Sequence, residues 1–188
     1  MAQEIGFEND VTGAQSRAKG SDGRLNVSSR SDSRGYYVSR DAEQSYSMVF
    51  EHTASANGQY SFYVKNTSTT SDFVISAVGV NSDLGANCKL WFVTGTAGDG
   101  VTCTPVNTNK SSAKDAELTC LHDGGGTTIS GLSTAGVIDY VKVGVDGHEE
   151  LRLDDRVRLG QNDAIALEVD AVTSGTPLVF GVMFGYFD

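Results

Sequence analysis

Two stretches near the C-terminus decide the fold: Ala164-Ile165-Ala166-Leu167-Glu168-Val169-Asp170 and Leu178-Val179-Phe180-Gly181-Val182-Met183-Phe184-Gly185-Tyr186-Phe187. The first alternates, with Ile165, Leu167 and Val169 on one side and Glu168 and Asp170 on the other. A period of two places successive side chains on opposite faces, so this is a strand with a buried face. The second is apolar on both faces, which predicts a central strand covered on both sides. Gly181 and Gly185 fall on the Met183 face. Their missing side chains predict close approach of something bulky, an aromatic ring or a neighbouring subunit.

Working back toward the N-terminus, the same reading recurs. Residues 149–153 alternate, with Leu151 and Leu153 inward and Arg152 outward. Residues 137–143, 90–93 and 73–80 are further strands. Tyr46-Ser47-Met48-Val49-Phe50 and Tyr60-Ser61-Phe62-Tyr63-Val64-Lys65 flank Asn57-Gly58. Both residues of that pair tolerate positive φ, so it predicts a tight hairpin, with Tyr60, Phe62 and Val64 sharing one face. Trp91 reads as a core or inter-sheet residue. Gly95 to Gly100 and residues 124–136 read as loops, and residues 111–121 fit either a short helix or an irregular strand. No helical crossovers separate these runs, which excludes a parallel α/β sheet. The expected fold is all-β: a two-sheet antiparallel β-sandwich, jelly-roll-like, over residues 36–188.

Residues 1–35 differ. Their apolar side chains are isolated and no period persists, so they read as an extended N-terminal arm. The chain of 188 residues has a net charge of −10. Residues 1–40 carry six cations against five acids, so the acidity belongs to the remainder. An acidic body disfavours nucleic acid and anionic membranes as partners, and a near-neutral arm suits a differently charged surface. The arm and its junction supply the candidate contact residues Arg24, Arg30, Arg34, Tyr36, Tyr37 and Arg40. The opening residues lack a basic and an apolar region, so no secretory signal is expected.

The motifs for chemistry fall short. Gly131-Leu132-Ser133-Thr134-Ala135 lacks the second glycine of a nucleophile elbow. The glycine loops lack the Lys-Ser/Thr of a phosphate loop. Glu149-Glu150 and Asp154-Asp155 are adjacent, so their side chains diverge along a strand. Interleaved with Arg152, Arg156 and Arg158, they read as a charged strand edge. Cys88, Cys103 and Cys120 have no C-x-x-C spacing, and His52, His122 and His148 no ligand spacing. Gly147-His148-Glu149-Glu150 lacks the second His of a cupin metal site. Asp99, Asp123 and Asp146 each adjoin a glycine, as turns demand. The reading is therefore no enzyme, no metal and no cofactor.

Several phrases carry a resemblance: residues 23–30 (Gly-Arg-Leu-Asn-Val-Ser-Ser-Arg), 33–41 (Ser-Arg-Gly-Tyr-Tyr-Val-Ser-Arg-Asp), 63–68 (Tyr-Val-Lys-Asn-Thr-Ser), 104–109 (Thr-Pro-Val-Asn-Thr-Asn) and 159–166 (Leu-Gly-Gln-Asn-Asp-Ala-Ile-Ala). Together they resemble small virion structural proteins of tailed bacteriophages, most of all head decoration (cement) proteins. The resemblance is one of style and short phrases. It implies a β-sandwich body, often trimeric, that binds the major capsid protein at the capsid surface after synthesis in the host cytoplasm, with no catalytic residues. The long polar arm departs from that class and suits a tail, baseplate or fibre component equally. A third reading is a carbohydrate-binding module of a host-recognition device, with Trp91 or Tyr36-Tyr37 as its aromatic contact.

Overall fold

The computed structural model describes residues 37–53, 58–124, 127–172 and 175–188, together with the backbone of four short strands among residues 1–36. Residues Met1–Ser33 form one unit and Arg34–Asp188 another. In the first, β1 (Gly6–Glu8) pairs antiparallel with β2 (Gln15–Arg17), and β3 (Gly20–Ser21) with β4 (Arg24–Leu25).

The second unit opens on a π-helical turn, Val38–Ala42, closed by Glu43 at a φ of 57°. Among the described residues of this unit, all other regular structure is strand. Sheet I has the order β10 (Val106–Asn107), β5 (Ser45–Thr53), β15 (Leu178–Phe187), β7 (Phe73–Ser82), β13 (Gly147–Leu159). Sheet II runs β12 (Ser130–Val143), β8 (Ala86–Gly98), β14 (Ala164–Ala171), β6 (Gln59–Asn66), β11 (Leu118–His122), β9 (Val101–Thr102). Every pairing is antiparallel. The chain alternates between sheets at β5, β6, β7 and β8, and again at β12, β13, β14 and β15. Each sheet thus interleaves strands from both halves, which is the jelly-roll β-sandwich expected from the sequence. The remaining strands, β9 to β11, extend the two sheets at one side.

The core lies between the sheets. Tyr46, Met48, Phe50, Val78, Val80, Val179 and Met183 come from sheet I, and Phe62, Val64, Leu90, Ile165, Leu167 and Val169 from sheet II. The alternation read in β13 and β14 is the alternation found, with Leu151, Leu153, Ile165, Leu167 and Val169 buried. The β15 glycines also behave as read. A Cβ on Gly181 would lie 2.0 Å from the Phe50 ring, and one on Gly185 2.5 Å from the Phe73 ring.

Four local readings are corrected, and one left open between helix and strand is decided. The Asn57-Gly58 run does not close a hairpin: β5 and β6 lie in different sheets, and Phe50 and Phe62 stack across the core at 4.6 Å. Gly58 does take a φ of 74°, and its N–H donates to the Asp170 carboxylate on β14. Tyr60 and Phe62 do not share a face. A register shift at Ser61 turns Tyr60 outward, while Phe62 stays in the core. Gly95 to Gly98 and residues 130–136 are strand, paired across β8 and β12 with three bulges. At one bulge Gly95 (φ 103°) and Gly131 (φ 78°) bring their backbones together, where a Cβ on either would meet the opposing chain at 2.4 or 2.5 Å. Residues 111–121 form a turn and then β11, with no helix. Finally, the outer side of β15 is covered only at its end, where Val38 packs on Tyr186; Phe180 and Phe184 on that side are 42% and 43% exposed.

A second, smaller cluster covers part of the outer face of sheet II, where Tyr63, Val93, Ala164 and Ala166 pack with Ile129 from the segment before β12. Trp91 packs half-buried against this cluster, not between the sheets.

Candidate interaction surfaces

Of the contact residues read from the arm, Arg30, Arg34 and Tyr36 lie outside the described residues. Arg24 belongs to β4 and Arg40 to the π-helical turn, described by their backbone alone. Tyr37 is described fully. It is half-buried beside Val38, which packs with Val74 and Tyr186 on the outer face of sheet I. Burial pushes the Tyr186 phenol up to about 12, and the nearby Asp155 carboxylate adds to this.

The rest of that outer face is mixed: apolar along β15 and at Val49 and Val106, polar at Ser47, Glu51, Asn81 and His148, and charged on β13 at Glu150 and Arg152. Cross-strand partners share a face, so register gives its layout. Val182 sits between Val49 on β5 and Gly79 on β7. Phe184 lies between Ser47 and Ala77, and Phe180 between Glu51 and Asn81. Val106 on β10 continues the Ser47 row. Val49 is 68% exposed and Val106 59%. A Cβ on Gly79 would touch the His148 ring and Val182 at 3.4 and 3.6 Å, so the imidazole rests over this glycine.

The most buried ionisable pair joins the end of β5 to the end of β11. His52 Nδ1 lies 2.9 Å from Asp123 Oδ2 without the alignment of a hydrogen bond, and Nε2 meets no polar partner. Ser61 Oγ is likewise buried without a partner, while the Ser61 carbonyl accepts the Asp123 N–H at 3.0 Å. Burial holds the His52 imidazole below its ordinary pKa against the pull of Asp123, and burial also raises the Asp123 carboxyl. His122 Nδ1 approaches the Glu51 carbonyl at 3.1 Å. Nothing in the sequence pattern announced the pair, because only the sheet-to-sheet packing brings β5 and β11 together.

The three thiols are buried and unbridged. Cys103 donates to the Val49 carbonyl at 3.2 Å, and its thiol is lowered chiefly by a hydrogen bond from Cys120. Burial raises Cys120, and pushes Cys88 up to about 12. On the outer face of sheet II, Lys89 Nζ bridges Glu168 and Asp170 at 2.8 and 2.9 Å, and those two bonds raise its pKa. A groove of about 250 Å³ opens between the loops at one end, lined by Gln44, Ser68, Ser71, Lys114, Asp115 and Glu117. Its Ser68 hydroxyl is engaged by the Thr70 and Ser71 N–H groups at 3.3 Å.

Glu150 pairs with Arg152 at 2.7 Å and Asp154 with Arg156 at 3.3 Å, all along exposed β13. Asp154 and Asp155 take φ values of 47° and 61°, consecutive left-handed residues that bulge the strand. Among the described residues no group of three or more His, Cys, Asp or Glu is placed to hold a metal ion. Among them, too, no helix is long and apolar enough to cross a membrane. No protein-family model matches this chain, and no curated protein matches it.

Proposed function

We propose that this chain is a non-enzymatic structural component of a phage virion, one that decorates and stabilises the capsid by binding the major capsid protein. The observation that supports this is the exposed apolar strip on sheet I formed by Val49, Val106, Phe180 and Phe184. Soluble monomers rarely expose a contiguous apolar patch of more than roughly a few hundred Å², and such a patch marks an association surface. The rigid sandwich carries that face, and the arm with Arg24, Arg30, Arg34 and Arg40 supplies the second contact. Ordering an arm costs about 1–2 kcal/mol of backbone entropy per residue fixed. Repeated contacts on a lattice offset this through avidity.

The test is co-sedimentation with purified capsids. The full chain pellets with them, and a form lacking residues 1–35 stays in the supernatant. Undiminished pelleting of the shortened form refutes the arm's part, and no pelleting of the full chain refutes capsid decoration. Density for the chain on tails, with none on heads, would move the assignment to a tail component.

A further inference from the structure

We propose that Cys103 and Cys120 form an internal disulfide when the folded chain meets a small-molecule disulfide such as oxidised glutathione, and that this bond staples β9 to β11. Cys88 stays a free thiol. The inference goes beyond capsid binding and does not depend on it.

Register carries the argument. β9 and β11 pair antiparallel, with Leu121 opposite Thr102 and His122 opposite Val101. One step further along the same register Cys120 stands opposite Cys103, and the Cys103 N–H donates to the Cys120 carbonyl at 2.9 Å. A hydrogen-bonded antiparallel pair holds its Cα atoms about 5.5 Å apart, a separation that disulfides commonly span. Directly opposite residues share a face, and both of these side chains belong to the core between the sheets. The two thiols already meet: the hydrogen bond from Cys120 is the chief influence on the Cys103 thiol and makes it the more acidic of the two. Cys88 lies on β8 opposite Val141 and Val169, so neither of the other cysteines is its cross-strand neighbour.

The pair sits where it can react. β9 is the outermost strand of sheet II and is two residues long. Thr102 and Thr104, on either side of Cys103, are exposed. A short edge strand opens locally, so the oxidant reaches Cys103 without global unfolding. The Cys103 thiolate attacks one sulfur of the oxidant, forming a mixed disulfide and releasing one thiolate. The Cys120 thiolate then attacks Cys103 Sγ and expels the second. Two electrons pass from the cysteines to the oxidant, and the two thiol protons end on the two released thiols. Opposite Cβ atoms lie ~4.5–5.5 Å apart and a disulfide holds them at ~3.5–4.5 Å, so the edge strand draws in by about 1 Å. The resulting strain keeps the bond reducible by a dithiol. The bond closes a loop over residues 103–120, which leaves sheet II, adds β10 to the edge of sheet I and returns to β11. That loop also grips the turn that opens the body, where Asn107 donates to the Glu43 carbonyl at 2.8 Å and Lys114 to the Ala42 carbonyl at 2.7 Å. Oxidation therefore fastens both sheets at one side.

The test is non-reducing peptide mapping of the native full chain after incubation with oxidised glutathione. Lys89, Lys110 and Lys114 put the three cysteines on three different tryptic peptides. The expected product is one linked pair, residues 90–110 joined to residues 115–142, with Cys88 free. Three free thiols, a Cys103 that stops at the glutathione adduct, or a linkage to Cys88 overturns the proposal, and none of these readouts needs a substituted chain. Thermal unfolding is the second measurement. Closing a loop of about 15–20 residues raises Tm by roughly 5–10 °C, and dithiothreitol removes the gain. A linked chain that unfolds no later than the reduced one overturns the stapling. Cys88→Ala keeps both the linkage and the gain, and Cys120→Ala loses both; a linkage or gain that survives Cys120→Ala also overturns the proposal.

Discussion

Gly181→Ala tests the packing that makes this sandwich, because a single methyl group must displace a ring. The added Cβ would lie 2.0 Å from Phe50 Cζ and 2.5 and 2.7 Å from its Cε atoms. Phe50 has no room to retreat, since Phe62 of the opposite sheet stacks on it at 4.6 Å with 22° between the ring planes. Overpacking of this kind costs about 1–3 kcal/mol, and a clash with a ring pinned on its other side belongs at the upper end. Replacing glycine in a strand returns roughly 0.5–1 kcal/mol through the unfolded chain. The net loss is about 2 kcal/mol, or a fall of roughly 4–8 °C in Tm for a chain of this size. Urea unfolding followed by Trp91, the only tryptophan, reads it directly. Phe50→Leu removes the ring and leaves a cavity, at a cost below the ~3–5 kcal/mol of Phe→Ala. Combined with Gly181→Ala it leaves room for the methyl, so the double variant is more stable than the sum predicts by at least ~1 kcal/mol. Strict additivity of the two changes would show that the ring does not occupy the glycine's face, and the packing argument would fail.

Three other outcomes follow from the same geometry. Below its ordinary pKa of 6.5 the unfolded chain protonates His52 while the buried imidazole resists, so stability falls as pH drops from about 7.5 to about 5.5. Asp123 opposes this at lower pH, where its raised carboxyl takes up a proton before the unfolded group at 3.8 does; a flat stability profile between about pH 7.5 and 5.5 that His52→Gln leaves unchanged would contradict the assignment. Alkylation of the native chain modifies Cys103 before Cys88 or Cys120, read by peptide mass spectrometry, and equal rates would remove the hydrogen bond from Cys120 as the cause. At Asp154, held at a φ of 47°, a β-branched Val costs roughly 1–2 kcal/mol in urea unfolding while Gly or Asn is near neutral; equal effects would argue against backbone strain.

The strands legible in the sequence are those whose alternation is uninterrupted. In β14 and the first half of β13, one side chain in two meets the core, and the pattern alone identifies which. The reading failed where the period breaks or where distance in space matters more than order. Ser61 inserts one residue into β6, and every face assignment before it inverts. The Asn57-Gly58 signal describes a local backbone preference, which Gly58 obeys, but the choice of partner strand belongs to the core. Phe50 and Phe62 bury more by facing each other across two sheets than by lying side by side in one. The glycine-rich runs of β8 and β12 read as loops because their strands are bulged and weakly apolar. His52 and Asp123 could not be paired from sequence, since neither sits in a motif. Of the candidate contact residues, only Tyr37 shows where its side chain goes, and it packs half-buried beside Val38 at the start of the body.

The edges of the sandwich bear on how it associates. An antiparallel sheet grows most easily by adding a strand to an open edge, and a chain that must stay soluble has to block that route. Sheet I ends in β13, whose exposed positions carry Glu149, Glu150, Arg152, Asp154, Arg156 and Arg158. The Asp154–Asp155 bulge also breaks its register, with Arg152 opposite Ala77 and Val157 opposite Ile75. The other edge, β10, offers two residues. Sheet II ends in β12, interrupted by three register shifts, and in β9, again of two residues. Each edge is short, bent or charged, whereas the apolar area of sheet I is on a face. Edge-to-edge addition repeats without limit and leads to fibres, whereas a contact made through a face does not extend the sheet. Blocked edges beside exposed apolar side chains on sheet I therefore direct association to the face and away from a growing sheet.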